Sequence, residues 1–438
     1  MYHDTQGACA PKVSIVTLGC PMNQVDSERI LSGLLERGFT LVPEDEADVI
    51  VVNTCGFIES AREESIGTIM SVAGLKDRGN LKALVVAGCL AERYKYELEN
   101  ELPEADAVIG LADIASIPDR CCELLGSDHG AETHRSRVVI GSPNTAYLKI
   151  AEGCDNRCAY CTIPMIRGPF RSVPSETVLA EARELAGLGR KELVLIGQDT
   201  TSYGTDLGNG LTLSRLLERL NDIEGVEWIR VMYTHPAHFS EELIEAFVRL
   251  PKVLPYIDIP VQHIAAPVLE RMGRCIAPGQ IRRLLESLRE RIRGLVLRTS
   301  LITGFPGETD GDFRELLSFV SDVRFERLGA FVYSREEGTR AALLDGQVPE
   351  AIARERYREL MALQEGLSAE FQRSLVGREF NMIVDALDSN GGAIGRIYSD
   401  APEIDGNVSV PRGVQKGVPF CRIRITAAGT YDLTAEPV

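Results

Sequence analysis

Three of the chain's eleven cysteines stand in one short run, Cys154-Asp155-Asn156-Arg157-Cys158-Ala159-Tyr160-Cys161. This spacing places three thiols in a single loop, close enough to serve one metal centre. A structural zinc site asks for four closed ligands, usually in C-x2-C pairs. A 4Fe–4S cluster ordinarily takes four thiolates, yet the next cysteine, Cys275, is far downstream. A cluster held by this loop would keep one iron without a protein ligand, open to a small molecule. A second set is spread over the first hundred residues: Cys20 after Gly19, Cys55 before Gly56 and Cys89 after Gly88. Each follows an apolar run of strand type, and each has a glycine that lets the backbone come close. In a parallel sheet all three would leave at one carboxyl edge, where open α/β folds bind ligands. The alternative is three cysteines used as small core filler. Cys9, Cys121, Cys122, Cys275 and Cys421 share no such logic and read as structural or incidental.

Those thiols need elements to position them. From Pro11 to Ser127 strand patterns at Lys12–Leu18, Ala47–Thr54, Ala83–Ala87 and Ala105–Ile109 alternate with helical ones, which predicts a flavodoxin-like parallel sheet covered by helices. A polar stretch, Gly126–Arg137, reads as a linker. In residues 140–376 six more strands follow, at Ala146–Ile150, Glu192–Ile196, Trp228–Tyr233, Tyr256–Pro260, Leu295–Ile302 and Arg327–Tyr333. Six βα units fall short of a closed eight-stranded barrel, so a partial (βα)6 barrel of TIM type is expected. Pro349–Leu375 is one long helical pattern. From Gly377 to Val438 short β-type runs between Gly, Asn and Pro turns predict a small β-barrel. The fold class is thus α/β with a C-terminal β-barrel.

Composition narrows the function. Apolar content of 44% and charged content of 25% are those of a globular protein. No apolar run approaches the roughly 18 residues of a membrane span, and Met1–Lys12 carries no apolar leader core. A cytoplasmic protein with reduced thiols and no membrane partner is expected. A net charge of −17 argues against nucleic acid as the main partner.

The run Glu152-Gly153-Cys154 to Cys161 resembles the signature of the radical S-adenosylmethionine enzymes, and the likeness covers the whole middle section. It implies a partial barrel and a 4Fe–4S cluster whose open iron is chelated by S-adenosylmethionine. One electron then cleaves the sulfonium to a 5′-deoxyadenosyl radical, which abstracts hydrogen from the substrate. Tyr160 stands where that family has an aromatic residue beside the adenine. The strand ends Gly197-Gln198-Asp199 and Thr303-Gly304-Phe305-Pro306-Gly307-Glu308 point to the barrel mouth, where ligands bind. Gly197, Gln198, Gly304 and Glu308 are therefore expected to border the cofactor. Arg298, within the fifth barrel strand, is a candidate to neutralise the ligand carboxylate or Glu308, with a barrel-wall salt bridge as the alternative. His235 and His263 end the third and fourth strands, where hydrogen bonding is expected rather than ligation. No acid–base residue is assigned.

A triplet such as Cys20, Cys55 and Cys89 ahead of that core resembles the methylthiotransferases, whose second 4Fe–4S cluster carries the sulfur to be donated. The resemblance extends to the tail, which matches their TRAM domain. Cys20-Pro21, Tyr256-Ile257-Asp258-Ile259-Pro260-Val261-Gln262-His263 and Gly329-Ala330-Phe331-Val332-Tyr333-Ser334 are similar to the branch that modifies an aspartate of small-subunit ribosomal protein twelve. Met22, where that branch more often has Lys, departs from it. An electron donor such as flavodoxin or ferredoxin is implied. The other branch modifies an adenosine of tRNA. Residues 377–438 hold six Lys and Arg against eight Asp and Glu, whereas a domain gripping RNA should be basic, so tRNA is the lesser expectation. A rival of another class, a metal- or cluster-binding protein without catalysis, leaves two separate three-cysteine sets unexplained.

Overall fold

The computed structural model describes residues 10–79, 81–126, 137–208, 210–389 and 391–438. Cys9 and residues 127–136 of the expected linker lie outside them. The chain divides into two compact units. One comprises the residues up to Ile140 together with Thr162–Gly168, the other Gly141–Cys161 and Pro169–Val438.

The first unit is built on strands β1 (Lys12–Thr17), β2 (Thr40–Leu41), β3 (Val49–Thr54), β4 (Ala83–Gly88) and β5 (Ala107–Ile109), in the order β2-β1-β3-β4-β5. All neighbours are parallel, and this is the flavodoxin-like order. The expected four strands are present and a fifth, β2, joins them. Its two residues are exposed, too few to print a period in the sequence. Strands β3 and β4 are buried throughout. Val49, Val51, Ala83 and Val85 feed one core layer, and Ile50, Val52, Leu84 and Val86 feed the layer on the opposite face. Burial on both faces explains why these strands read as unbroken apolar runs.

The second unit begins with β6 (Thr145–Lys149), followed by β7 (Ala151–Glu152), β8 (Arg171–Ser172), β9 (Glu192–Ile196), β10 (Trp228–Val231), β11 (Val253–Asp258), β12 (Val296–Thr303) and β13 (Arg327–Val332). Six of these form one parallel sheet in the order β13-β12-β11-β10-β9-β6, and it does not close on itself. The partial barrel expected from six units is the observed one. The antiparallel pair β7 and β8, two residues each, escapes the sequence pattern for the same reason as β2. Strand β11 starts earlier than the expected Tyr256, because Pro255 breaks the strand signal. The register against β10 jumps from Ile229↔Val253 to Val231↔Ile257, an irregularity that accommodates the proline. After the helix Glu350–Leu375, strands β14 (Glu379–Leu387), β15 (Ala393–Arg396), β16 (Val408–Val410), β17 (Phe420–Ala428) and β18 (Leu433–Pro437) close into a barrel in the order β14-β15-β16-β18-β17.

The small barrel belongs to the same unit as the six-stranded sheet, and buried charges bind the two. Glu192, the first residue of β9, accepts from Arg230 Nε at 2.8 Å and from Arg396 Nη2 at 2.8 Å. All three side chains are essentially without solvent contact. Arg396 also pairs with Asp385, Arg327 with Asp400, and the Tyr256 hydroxyl donates to Asp405 at 2.6 Å. Trp228 meets Phe420 edge-on at 5.0 Å. Burial pushes the Glu192 carboxyl up, but the guanidinium groups of Arg396 and Arg230 outweigh it and hold the pKa at about 2. Because that value lies below the ordinary 4.5, Glu192 stabilises the fold above pH 4.5 and loses its contribution as pH falls toward 2. Glu192→Gln leaves two buried guanidinium groups short of their counter-charge and is expected to cost about 3–5 kcal/mol. Urea unfolding at pH 7 measures this, and the variant's midpoint should be flatter than the parent's between pH 4.5 and 2.

Candidate functional site

The first thiol set lies at the carboxyl edge of the flavodoxin-like sheet. Cys55 and Cys89 follow β3 and β4 directly and Cys20 comes three residues after β1, and their loops interlock through the expected glycines. A Cβ on Gly19 would stand 3.0 Å from Cys55 Sγ, and one on Gly56 would stand 2.9 Å from the Leu90 amide nitrogen. Gly88, at φ +95°, has Asn53 Oδ1 2.2 Å from where its Cβ would be. Only glycine permits three loops to approach so closely. Their backbones are clamped by buried polar side chains. Asn23 donates from Nδ2 to the carbonyls of Leu18 and Thr54, both at 2.9 Å. Its own carbonyl accepts from Asn53 Nδ2 at 2.8 Å. Ser65 Oγ accepts from the Cys55 amide at 3.1 Å and donates to the Cys55 carbonyl at 2.9 Å. Cys20 stands at the N-terminal cap of the helix Pro21–Glu36. Burial pushes the Cys55 thiol up and raises Cys89 to about 12, so a metal is needed to take their protons.

The second set occupies the loop after β7. Cys154 is buried, and Cys158 and Cys161 are half-buried. The Ala159 amide donates to the Met272 carbonyl at 2.8 Å, and the Ala159 carbonyl accepts from Ala341 at 2.8 Å. Asn156 Nδ2 ties the loop to Asp199 Oδ2 at 2.7 Å. Asp199, buried just beyond β9, also accepts from Thr201, Ser202 and His238. Burial works against its charge, but the His238 and Thr201 bonds hold it well below the usual carboxylate range. Arg274, likewise buried, points Nη1 at Cys158 Sγ, 3.6 Å away, while Nη2 donates to the Pro260 carbonyl. Among the described residues no three His, Cys, Asp or Glu side chains converge on a single ion; thiols around a multi-iron cluster sit on separate irons instead.

The other expected residues divide. Tyr160 packs edge-on to Phe305, at 6.3 Å between ring centroids, within an apolar patch beside the loop. Gln198 has its Oε1 buried without a hydrogen-bond partner, as an acceptor reserved for a bound donor would be. Gly197 has ordinary clearance from Ala151. At Gly304 a Cβ would fall 2.2 Å from that of Ala353, so close packing against the helix Glu350–Leu375 accounts for that glycine. Glu308 is neutralised by Arg356 at 2.7 Å and accepts from the Gly304 amide at 3.0 Å. Arg298 does not reach it. Its guanidinium is held by Asp258 at 2.9 Å and faces Asp405 at 3.7 Å, the barrel-wall salt bridge. His235 accepts from Ala237 at 3.2 Å and His263 from Ala265 at 3.0 Å, which is hydrogen bonding rather than ligation. Burial and nearby Arg274 depress His235 to about 3, so it is neutral at pH 7.

Comparison with known proteins gives this geometry a family. Residues 12–110 match the model of an uncharacterised protein family, UPF0004, residues 148–320 the radical SAM superfamily and residues 376–438 the TRAM domain. Ribosomal protein uS12 methylthiotransferase RimO of Desulforamulus reducens is 45% identical over 441 residues, covering 97% of this chain and 99% of that one. RimO of Geobacter sulfurreducens is 44% identical, covering 97% and 98%. The chain belongs to the RimO family. RimO proteins are radical SAM methylthiotransferases, enzymes that use S-adenosylmethionine and 4Fe–4S clusters. Among solved structures the radical S-adenosylmethionine methyltransferase TsrM of Kitasatospora setae shares the fold at a TM-score of 0.56 and 14% identity, over 76% of this chain and 74% of that one. The cobalamin-dependent radical enzyme OxsB gives 0.51 and 15%, over 82% and 56%.

The residues fit those cofactors. Among the described residues each set brings together three thiols, each lies at a strand-end loop, and Gln198, beside Asp199 in sequence, supplies an unmet acceptor. Asn23, Ser65, Asn156, His238 and Arg274 are parts of these sites that no sequence spacing announces. Gly88→Ala forces a methyl group into Asn53 and Thr54 at a positive φ, and a cost of about 1–3 kcal/mol is expected. Thermal unfolding should show the lower stability, and iron analysis after reconstitution should show roughly half the iron lost if Cys20, Cys55 and Cys89 hold one of two 4Fe–4S clusters.

Proposed function

We propose that this chain attaches a methylthio group to the β-carbon of an aspartate in ribosomal protein uS12. Near-full-length similarity to proteins named for that reaction carries the reading, and two separate three-thiol sets are what the chemistry calls for. In this reading Cys154, Cys158 and Cys161 hold the cluster that engages S-adenosylmethionine, and Cys20, Cys55 and Cys89 hold the one that carries the sulfur. S-adenosylmethionine supplies a methyl group and, on reductive cleavage, a radical able to take hydrogen from an unactivated carbon, which no side-chain base can deprotonate at neutral pH. Around it the chain's own groups bind and orient. Tyr160 and Phe305 provide an apolar wall for the adenine, Gln198 an acceptor, and the Asn156–Asp199–His238 chain fixes the cysteine loop. Gly197, Gly304 and Glu308 shape the mouth of the barrel. No described helix is long and apolar enough to cross a membrane, in keeping with a cytoplasmic enzyme served by a flavodoxin or ferredoxin.

The surface of the small barrel favours a protein substrate over tRNA. Arg396 is consumed inside the molecule by Glu192 and Asp385. Arg422 and Arg424 both pair with Glu379, and Arg424 also faces Glu436. Exposed Arg378, Arg412 and Lys416 remain, too few for a phosphate-tracking stripe. Electrostatic complementarity with a basic ribosomal protein is the better match.

Anaerobic turnover of the reconstituted enzyme with S-adenosylmethionine, reductant and sulfide, offered uS12 and tRNA together, tests the proposal. Mass spectrometry should find the methylthio group on an aspartate of uS12, and modification of an adenosine would overturn the substrate assignment. Replacing Cys154, Cys158 and Cys161 by Ala should abolish 5′-deoxyadenosine formation. Replacing Cys20, Cys55 and Cys89 should spare it and abolish sulfur transfer, and each triple variant should retain about four irons.

A further inference from the structure

The first thiol set has a buried cationic neighbour for which the three cysteines give no account. Arg167 follows Cys161 by six residues, yet it packs in the unit that carries Cys20, Cys55 and Cys89. Its side chain is almost wholly buried. Nη2 lies 3.4 Å from Cys89 Sγ and donates to Asn23 Oδ1 at 2.6 Å. Asp26 Oδ2 accepts from both Nη1 and Nη2, at 3.2 and 3.3 Å. These Asp26 contacts are long for a guanidinium–carboxylate pair, which ordinarily closes to about 2.7–2.9 Å. The short bond goes to Asn23, the amide that clamps the ends of β1 and β3. Asn23 Oδ1 also receives the Cys89 thiol at 3.4 Å. Arg167 is therefore aimed by Asn23 and held toward the sulfur.

We infer that Arg167 is the positioning residue that sets the charge balance of the cluster held by Cys20, Cys55 and Cys89, and so its reduction potential. The inference rests on the reading that this triplet holds a 4Fe–4S cluster. A cluster held by three thiolates is anionic, and reduction adds one further negative charge. Inside a protein of low effective dielectric, a cation against one sulfur stabilises the reduced form more than the oxidised one. The N–H···S bond from Nη2 acts in the same direction. Asp26 opposes it, because a nearby carboxylate cancels part of the guanidinium's field.

The test uses the full chain with Cys154, Cys158 and Cys161 replaced by Ala, so that any cluster signal comes from the first set. Iron content and the midpoint of an EPR-monitored redox titration are compared among the otherwise unchanged chain, Arg167→Gln, Arg167→Lys and Asp26→Asn. Arg167→Gln should keep its iron and lower the midpoint by an amount equal to at least a tenfold loss in the reduction equilibrium, about 59 mV for one electron. Arg167→Lys should recover most of that shift. Asp26→Asn should move the midpoint the other way, which tests the inference even if the glutamine variant fails to fold. Unchanged midpoints in all three, with full iron, would overturn it and leave Arg167 as a salt bridge only. Absence of iron from the triple-Ala parent itself would instead defeat the reading that the first set binds a cluster.

Discussion

Parallel strands bring their carboxyl ends to one edge of a sheet, and both thiol sets depend on that constraint. A side chain placed just after β1, β3 or β4 has to emerge beside its counterparts, because the three strands pair residue for residue from Val13↔Val49 and Val49↔Ala83 onward. Cys20, Cys55 and Cys89 are separated by more than thirty residues in sequence, yet the sheet makes them neighbours. What the sheet cannot do is close the last distance between the loops. The absence of side chains at Gly19, Gly56 and Gly88 does that, and buried Asn23, Asn53 and Ser65 then pay the hydrogen-bond debts of the backbone that was brought in.

Along the barrel strands themselves the problem is reversed. A sheet of six strands leaves an incompletely closed interior, and the chain fills part of it with charge rather than with apolar side chains. Glu192 between Arg230 and Arg396, with Arg298 on Asp258 and Arg327 on Asp400, forms a buried lattice whose members come from both the six-stranded sheet and the C-terminal barrel. Such pairs add little net stability over well-packed apolar groups, but they are costly to break singly. Their effect is to dictate one seating of the small barrel, since any other leaves a guanidinium or carboxylate unpaired.

Much of this was legible in the sequence, and the exceptions have physical causes. The flavodoxin-like sheet and the partial barrel follow from the period of their apolar runs, and the two thiol sets from spacing and strand-end position. Strands β2, β7 and β8 are two residues long and carry no period. Pro255 concealed the start of β11. Arg298 reads equally as a cofactor ligand or a wall residue until Asp258 is seen beside it. Gly304 resembles a ligand-binding glycine, but its need comes from Ala353, about fifty residues later. Asn23, Ser65, Arg167 and Arg274 act through tertiary proximity to cysteines distant in sequence, and no local pattern marks them.

The two thiol sets also differ in what surrounds them, in a way that matches different tasks. Cys154, Cys158 and Cys161 share a short loop fastened by backbone bonds to Met272 and Ala341, with an unmet acceptor on Gln198 nearby. That is an arrangement suited to receiving a polar small molecule. Cys55 and Cys89 lie deeper, beside the buried Asn23 and Ser65 that hold their loop backbones, and Cys20 alone of the six is exposed. A cluster there would present one accessible side and keep the rest buried among fixed dipoles. A sulfur carried to a large substrate needs that geometry, because transfer requires access at one iron while the others stay protected from solvent and adventitious thiols.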